Sequence, residues 1–404
     1  MTASDDSWMT AAAAVRVLGV SRPTLYAYVS RGFVRSAPKP GVTRERLYSR
    51  EDVERLRRRA EERRDPKSVA AHALDRGSPL LESAITLIDG GRLYYRGYDA
   101  VELSRTRSIA EVTSLLWART FETIGTRHLA AASGRLRAPG DLPFLANAQA
   151  ALALAATHDP LAFDLRPEAV ATSGGKILGL MTCAATGRRS VANTIDEQLA
   201  AAWGVKRQGI DILRAALILC ADHELNVSAF TARCVASAGA SPYAVVIAGI
   251  SALEGIHHGG VTVRVESMLE SMRGARNGPA ALADWLRQGL TISGFGHPLY
   301  RDGDPRAIEL FALLGDRYPN SPELKFARAV AESATTMLNQ PASLDFALAT
   351  VVRVLALPPG SGLTLFAIGR TIGWIGHAIE QYATGQLIRP RARYVGESPR
   401  AARK

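Results

Sequence analysis

The chain has 404 residues, 47% of them hydrophobic, and a formal net charge of +11, a length that exceeds one ordinary domain and predicts two or three. Its longest uncharged stretch, Cys234 to Leu253, is broken by Ser237, Ser241, Pro242 and Ser251, so it reads as buried core helix and not as a membrane span of about 20 apolar residues. The N-terminus, with Asp5 and Asp6, lacks the layout of a secretion signal, and the three cysteines, Cys183, Cys220 and Cys234, sit in apolar text as buried thiols would; a cytoplasmic protein without a membrane partner is expected.

Charge divides the chain. Residues 1–70 carry 15 Lys+Arg against 9 Asp+Glu, a basic balance that suggests a polyanion partner. Within that segment Thr10 can cap a short helix with Val15 and Leu18 on its inner face. Gly19 suits a turn, and Ser21 can cap a second helix with Pro23 in its first turn, which is a helix-turn-helix pattern. Residues 43–48 read as a short wing, and Ser49-Arg-Glu-Asp52 begins a further helix through the Arg-rich run from Arg55 to Arg64. A helix-turn-helix domain over 1–60, a linker over 61–77 interrupted by Pro66, and a second domain over 78–400 follow.

From Ser78 onward apolar residues recur at helical spacing, as at Ile212, Ala215, Ala216 and Leu219, so this domain should be mainly α. The exception runs from Ile85 to Tyr95, where Asp89-Gly-Gly91 predicts a hairpin turn.

Polar, reactive residues interrupt the apolar text in five clusters: Ala221-Asp-His-Glu-Leu-Asn226, Gly255-Ile-His-His-Gly-Gly260, Gly294 to Arg306, Ser343-Leu-Asp-Phe346, and Gly369 to His377 with Arg389-Pro-Arg391. Glycine beside histidine lets backbone approach a ligand, and histidine exchanges protons near neutrality, so the set suits an anion. Taken singly each has a plain alternative: His223 as a helix cap, His258 as a satisfied loop residue, Asp345 as the anchor of a helix end. No His-Glu-x-x-His, paired Cys-x-x-Cys or phosphate-loop pattern occurs, so neither a metal site nor a nucleotide phosphate loop is expected.

Two resemblances arise from these residues. The N-terminal layout resembles the DNA-binding domain of MerR-like regulators and excisionases. By that resemblance Ser21, Arg22, Thr24, Tyr26 and Tyr28 lie on or near the DNA-facing helix, and Arg44 and Arg46 would reach phosphates; a helical cap for contacts between proteins is the alternative. Over about Ser83 to Gly396 the chain resembles the citrate synthase family. The motifs, in order, are Leu93-Tyr-Tyr-Arg-Gly-Tyr98, Ala-Asp-His-Glu, His-Gly-Gly, Gly-Phe-Gly-His with the arginine of Asp-Pro-Arg nine residues on, Asp-Phe, Gly-Trp-Ile-x-His and Arg-Pro-Arg.

The second resemblance implies a homodimer of large and small helical domains, the small one over roughly 262–360, closing on oxaloacetate and an acyl-CoA, with no cofactor beyond that substrate. His223 would contact oxaloacetate, His258 the thioester carbonyl, His297 the ketone, and Asp345 would be the base; Arg306, Arg370 and Arg389 would clamp carboxylates, the last across the dimer. The implied activity is citrate synthesis from acetyl-CoA. A 2-methylcitrate synthase using propionyl-CoA is the enzymatic alternative, and a DNA-binding regulator that senses these metabolites is the other. The chain departs from the family at Val261-Thr262, where Ala-Asn is usual, and at Ala347-Leu-Ala349, where Tyr-Ser-Gly is usual, both beside the implied acyl-CoA site.

Overall fold

The computed structural model describes residues 8–31, 33–39, 45–54, 56–57, 81–123, 142–188, 193–273, 277–392 and 394–397. The chain forms two compact units, Met1–Glu82 and Ser83–Lys404. The linker expected over 61–77 and the wing residue Arg44 lie outside the described residues.

In the first unit Thr10 caps α1 (Ala11–Leu18) by accepting from the Ala13 N–H, and Gly19 ends the helix in the left-handed region at φ 62°. Ser21 caps α2 (Arg22–Ser30), whose second residue, Pro23, has no N–H to leave unpaired there. Strands β1 (Trp8–Thr10), β2 (Ser36–Pro38) and β3 (Arg46–Ser49) form one antiparallel sheet in the order β1-β3-β2. The wing expected over 43–48 falls in part on β3, which pairs with the earlier strand β2, Ser36 opposite Tyr48; residues 43 and 44 lie outside the described residues. Met9, Ala14, Leu25, Val34, Tyr48 and Val53 form the core, with Val15 and Leu18 packed at its edge. Buried Asp52 binds both the backbone N–H and the guanidinium of Arg35, fixing the start of the wing to helical residues 50–54.

The second unit opens with the hairpin β4 (Thr86–Asp89) and β5 (Arg92–Tyr95), turned by Gly90 and Gly91 at φ 56° and 74°, two positive values that glycine takes without strain. After the two-residue strand β6 (Tyr98–Asp99), the remaining elements among the described residues are helices. The elements are α3 (Ala100–Thr106), α4 (Ile109–Ala118), α5 (Phe144–Ala156), α6 (Pro167–Thr186), α7 (Ile195–Trp203), α8 (Arg207–Leu219), α9 (Val227–Ser237), α10 (Pro242–Leu253), α11 (Gly260–Ser271), α12 (Gly278–Arg287), α13 (Pro305–Arg317), α14 (Pro322–Leu338), α15 (Leu344–Val354) and α16 (Ser361–Thr384). Among the described residues no helix is long and apolar enough to cross a membrane.

The uncharged stretch expected as one core helix is divided between two. Gly239 turns at φ 74°, Ser241 caps α10 through the Ala244 N–H, and Pro242 cannot continue α9, so local backbone chemistry overrides the apolar run. Of the cysteines, Cys220 is buried, and Cys183 and Cys234 are half-buried.

Two apolar cores fill this unit. The larger spans the hairpin and most helices; the smaller joins Val265, Met268 and Leu269 of α11, Leu282 of α12, Ala327 and Val330 of α14, and Phe346 and Ala349 of α15. Helix α15 serves both, since its Leu344, Ala347, Leu348 and Val351 lie in the larger core. A helix clamped on opposite faces has little freedom to rotate, which fixes where its first turn points. Gly369 sets α16 against α8: an added Cβ would come 2.5 Å from the Leu217 carbonyl.

Candidate active site

The site assembles at helix ends, and each end is held by its own chemistry. Tyr95 is buried beneath the end of α8, its hydroxyl 3.0 Å from the Ile218 carbonyl and accepting the Asp222 N–H at 3.2 Å. The loop it anchors places His223, and Asn226 then caps α9 through the Ala229 N–H. Glu224, at φ 51°, is a non-glycine residue in the left-handed region, the kind of local strain that tertiary structure must hold in place.

His297 sits on a loop stitched to the approach to α15. The Gly296 N–H donates to the Pro341 carbonyl and the Ser343 N–H to the Gly294 carbonyl, each at 2.8 Å. Gly294 and Gly296 turn at φ 87° and 74°; a Cβ on the first would meet Val265 at 2.7 Å and on the second Gln340 at 2.7 Å. Conformation favours glycine at both positions, and space demands it at Gly294, whose neighbours Val265 and Phe346 lie in the smaller core. Asp304 completes the frame: it caps α13 through the Arg306 N–H, pairs with Arg306 Nε and Nη2 at 2.9 and 2.8 Å, and accepts the Leu344 N–H at 3.0 Å. One carboxylate thus ties the start of α13 to the start of α15, whose second residue is Asp345.

The histidines converge. The rings of His223 and His297 lie edge to face with centroids 5.0 Å apart, and His223 Nε2 is 3.0 Å from the Tyr300 hydroxyl. His297 Nδ1 accepts the Leu299 N–H at 3.2 Å, so a neutral His297 ring carries its proton on Nε2, the arrangement of a hydrogen-bond donor. His258 Nε2 lies 2.8 Å from the Ser228 hydroxyl, which also reaches Asn226 Oδ1 at 2.9 Å. Serine has one proton to give, and its direction sets the His258 tautomer. Phe366 contacts both the His258 ring, at 5.8 Å, and the Arg370 guanidinium, at 4.8 Å.

Electrostatics separate the groups by role. Burial, reinforced by Arg306 and Arg370, holds the His223 pKa well below its ordinary value, and burial with Arg370 pushes His258 down to about 4, so both are neutral near pH 7. Burial pushes the Asp345 carboxyl above the usual carboxylate range against the opposing pull of the Thr262 hydroxyl and Arg306, which makes it a stronger base than an exposed aspartate. Arg306 is opposed by burial, but the Asp304 carboxylate more than compensates and its pKa is raised; burial and the like charge of Arg306 lower Arg370.

Arg370 is 1% exposed, and its Nε donates to the Cys220 carbonyl at 2.8 Å. Its Nη1 and Nη2 have no hydrogen-bond partner among the described residues. A buried guanidinium end with unmet donors, beside a second guanidinium and neutral imidazoles, is chemically a receptor for a carboxylate.

The structure thus gathers His223, His258, His297, Arg306, Asp345 and Arg370. Arg389 is not among them: it is exposed on the extended segment after α16. Sequence reasoning gave no role to Tyr95, Ser228, Tyr300 and Asp304; of these, Tyr95, Tyr300 and Asp304 lie inside quoted motifs and carried a signal, whereas Thr262 was noted only as a departure from the family. In the first unit, Ser21 and Thr24 are engaged in capping, and Tyr28 packs toward the core with its ring 6.4 Å from Phe33. Arg22 and Tyr26 are exposed, whereas exposed Arg46 donates to Ser36 Oγ and O.

A separate cavity of about 500 Å³, lined by Arg105, Arg107, Thr113, Trp117, Asp196 and Arg214 among others, contains none of the site residues. Its arginines are already paired, with Glu309, Glu111 and Asp196, so it offers an anion less than Arg370 does.

Known proteins resemble both units. The family described as citrate synthase, C-terminal domain, matches residues 73–391, and a helix-turn-helix domain family matches residues 8–61. The chain is 31% identical over 360 residues to the citrate synthase of Haloferax volcanii, covering 80% of this chain and 94% of that protein. It is 27% identical over 380 residues to the 2-methylcitrate synthase of Shewanella oneidensis, covering 83% and 97%. Citrate synthase 2 of Bacillus subtilis is 35% identical over 190 residues, 46% of this chain; there, as with the mycobacterial relatives at the same identity, the match spans about half of the relative, 51% to 53%. The fold is that of citrate synthase from Thermotoga maritima, at TM-score 0.68 and 24% identity over 82% of this chain and 98% of the other. It is likewise that of the Thermoplasma acidophilum enzyme, solved with carboxymethyl coenzyme A and oxaloacetate, at TM-score 0.68 and 22% identity over 81% and 97%.

Proposed function

The chain belongs to the citrate synthase family, and from that premise we propose that it condenses an acyl-CoA, acetyl-CoA first among them, with oxaloacetate to give citrate and free CoA. The observation that carries this is Arg370, buried with both terminal nitrogens unpartnered and surrounded by His223, His258 and Arg306, a constellation that a small dicarboxylate would complete.

Asp345 takes a proton from the α-carbon of the thioester; with the Ser228 hydroxyl turned from Asn226 Oδ1 to give its proton to His258 Nε2, the neutral ring carries its own proton on Nδ1 and donates it in a hydrogen bond to the thioester oxygen as the enol forms. The α-carbon then attacks the oxaloacetate ketone, whose oxygen receives a proton from His297 Nε2. Water cleaves the thioester of the product and CoA leaves as the thiol. A positioned base contributes about 10² to 10⁴ in rate and one such donor about 3 kcal/mol, so the two groups act as a unit. Arg370 and Arg306 hold carboxylates throughout, and Arg389, exposed here, supplies a third contact across a homodimer.

The experiment is thiol release from acetyl-CoA plus oxaloacetate by the wild type and Asp345→Asn. Release that the substitution abolishes supports the synthase; no release by the wild type while oxaloacetate still binds refutes it. Propionyl-CoA in competition separates citrate from 2-methylcitrate synthesis, a question raised by Thr262 and Ala347 beside the base.

The first unit supports a second activity, duplex DNA binding, because a capped helix-turn-helix with a wing leaves Arg22 and Tyr26 exposed on its second helix. A dimer would present two such units to half-sites about one helical turn apart, which would couple metabolite binding to DNA.

A further inference from the structure

Thr262 stands where this chain departs from its family's usual Asn, and its side chain is fully buried. Three buried threonines inside helices of this unit, Thr182, Thr350 and Thr371, give their hydroxyl proton to the carbonyl four residues back, of Leu178, Phe346 and Ala367. That is the usual outlet for a helical threonine. Thr262 instead donates across to α15, to Asp345 Oδ1.

From this contact, and resting on the condensation proposed above, we infer that Thr262 is the positioning residue for the base: it holds Asp345 Oδ1 and leaves Oδ2 to take the proton from the acyl α-carbon. The geometry favours such a role. Thr262 lies in the first turn of α11, four residues after His258, so one helix start presents both the donor for the thioester oxygen and the hold on the carboxylate. α11 and α15 share the smaller core through Val265 and Phe346, which makes the separation of Thr262 and Asp345 a packed, fixed distance. The charged groups facing the carboxylate are Arg306 and Asp304 from the start of α13, and neither donates to Oδ1. A hydroxyl can fix a carboxylate without neutralising it, whereas a cation in its place would cost the base its proton affinity.

The test compares Thr262→Val, which keeps the shape and loses the hydroxyl, with Thr262→Ser, which keeps the hydroxyl, in the full-length protein. Valine should lower kcat between about 10- and 100-fold, short of the loss of the base itself, with oxaloacetate KM unchanged. Without the donor the carboxylate is harder to ionise, so the acid limb of kcat/KM should move to higher pH; serine should restore both. Thr262→Ala gives the same comparison if valine is not accommodated, with thermal melting reporting the fold. An active wild type whose valine and alanine variants keep full kcat and an unmoved acid limb overturns the inference alone. A wild type that releases no thiol from acetyl- or propionyl-CoA overturns the condensation reading and this role with it.

Discussion

Gly373 lies directly against Asp222: a Cβ built on it would come 2.4 Å from Asp222 Oδ1 and 2.3 Å from the Ala221 carbonyl. Asp222 is the buried acceptor for the Thr86 hydroxyl at 2.6 Å and His377 Nε2 at 3.1 Å, and His223 follows it in the chain. Gly373 also lies three residues after Arg370, on the same face of α16. The absence of a side chain therefore sets the spacing between two groups assigned to oxaloacetate.

Gly373→Ala should push these apart. Overpacking of this kind costs about 1 to 3 kcal/mol, and oxaloacetate KM should rise roughly tenfold with a lowered melting temperature. Steady-state kinetics and thermal unfolding measure both; unchanged KM would show that the loop and α16 move independently.

Arg370→Lys tests the carboxylate receptor more directly. Lysine keeps the charge but replaces a planar fork with a point, and it cannot both hold the Cys220 carbonyl through Nε and present two parallel donors. Oxaloacetate affinity should fall roughly 10- to 100-fold, the worth of one or two charge-assisted hydrogen bonds. Calorimetric titration reads this without requiring turnover, and retention of wild-type affinity would place the carboxylate elsewhere.

The parts of this site that were legible in the sequence were those whose chemistry is local. Histidine beside glycine, a capped helix start and Asp-Gly-Gly each betray themselves within a few residues, and so His258, His297 and the β4–β5 hairpin were found, while His223 stood out as Asp-His-Glu interrupting apolar text. The pairings were not legible, because Thr262 and Asp345 are brought together by packing of α11 on α15, and Tyr95 meets Asp222 only once the hairpin has folded under α8. The division of 234–253 into two helices was written in Ser241 and Pro242 but was outweighed by the surrounding apolar text.

Asp304→Asn should damage structure and site together. The substitution leaves Arg306, 4% exposed, without its counter-charge and weakens the bond to Leu344 N–H, and breaking a buried pair from one side costs about 3 to 5 kcal/mol. Denaturant unfolding should report a loss of that order, and thiol release should fall with it. A stable Asp304→Asn protein with normal turnover would mean that Arg306 finds another partner.

The pH dependence of stability has a definite sign. His258 titrates near 4 in the folded chain and near 6.5 when unfolded, so between those values the unfolded state binds the extra proton. Its contribution to stability is therefore full above about 6.5 and is lost as pH falls toward 4; His223, depressed by the same causes, acts in the same direction. The raised Asp345 opposes them, contributing stability that is lost as pH rises through its folded pKa. Melting temperatures measured from pH 7 to pH 4 should fall, and more shallowly in His258→Gln; parallel curves would remove His258 from the account.

For the first unit, duplex affinity should depend on Arg22 more than on Arg46. Both are exposed cations, but Arg46 already donates to Ser36 Oγ at 3.0 Å and to its carbonyl at 3.2 Å, so reaching a phosphate means giving up two hydrogen bonds, whereas Arg22 stands at the first position of α2 beside Tyr26. Removing one cation that neutralises a phosphate reduces the slope of log affinity against log salt by about 0.9. Arg22→Ala should therefore weaken binding and flatten the salt dependence by roughly that amount, while Arg46→Ala should change both less and lower the melting temperature of the unit instead. Fluorescence anisotropy on a random-sequence duplex across a salt series separates the outcomes. Equal slopes for wild type and Arg22→Ala would direct attention from DNA to a protein partner for the exposed face of α2.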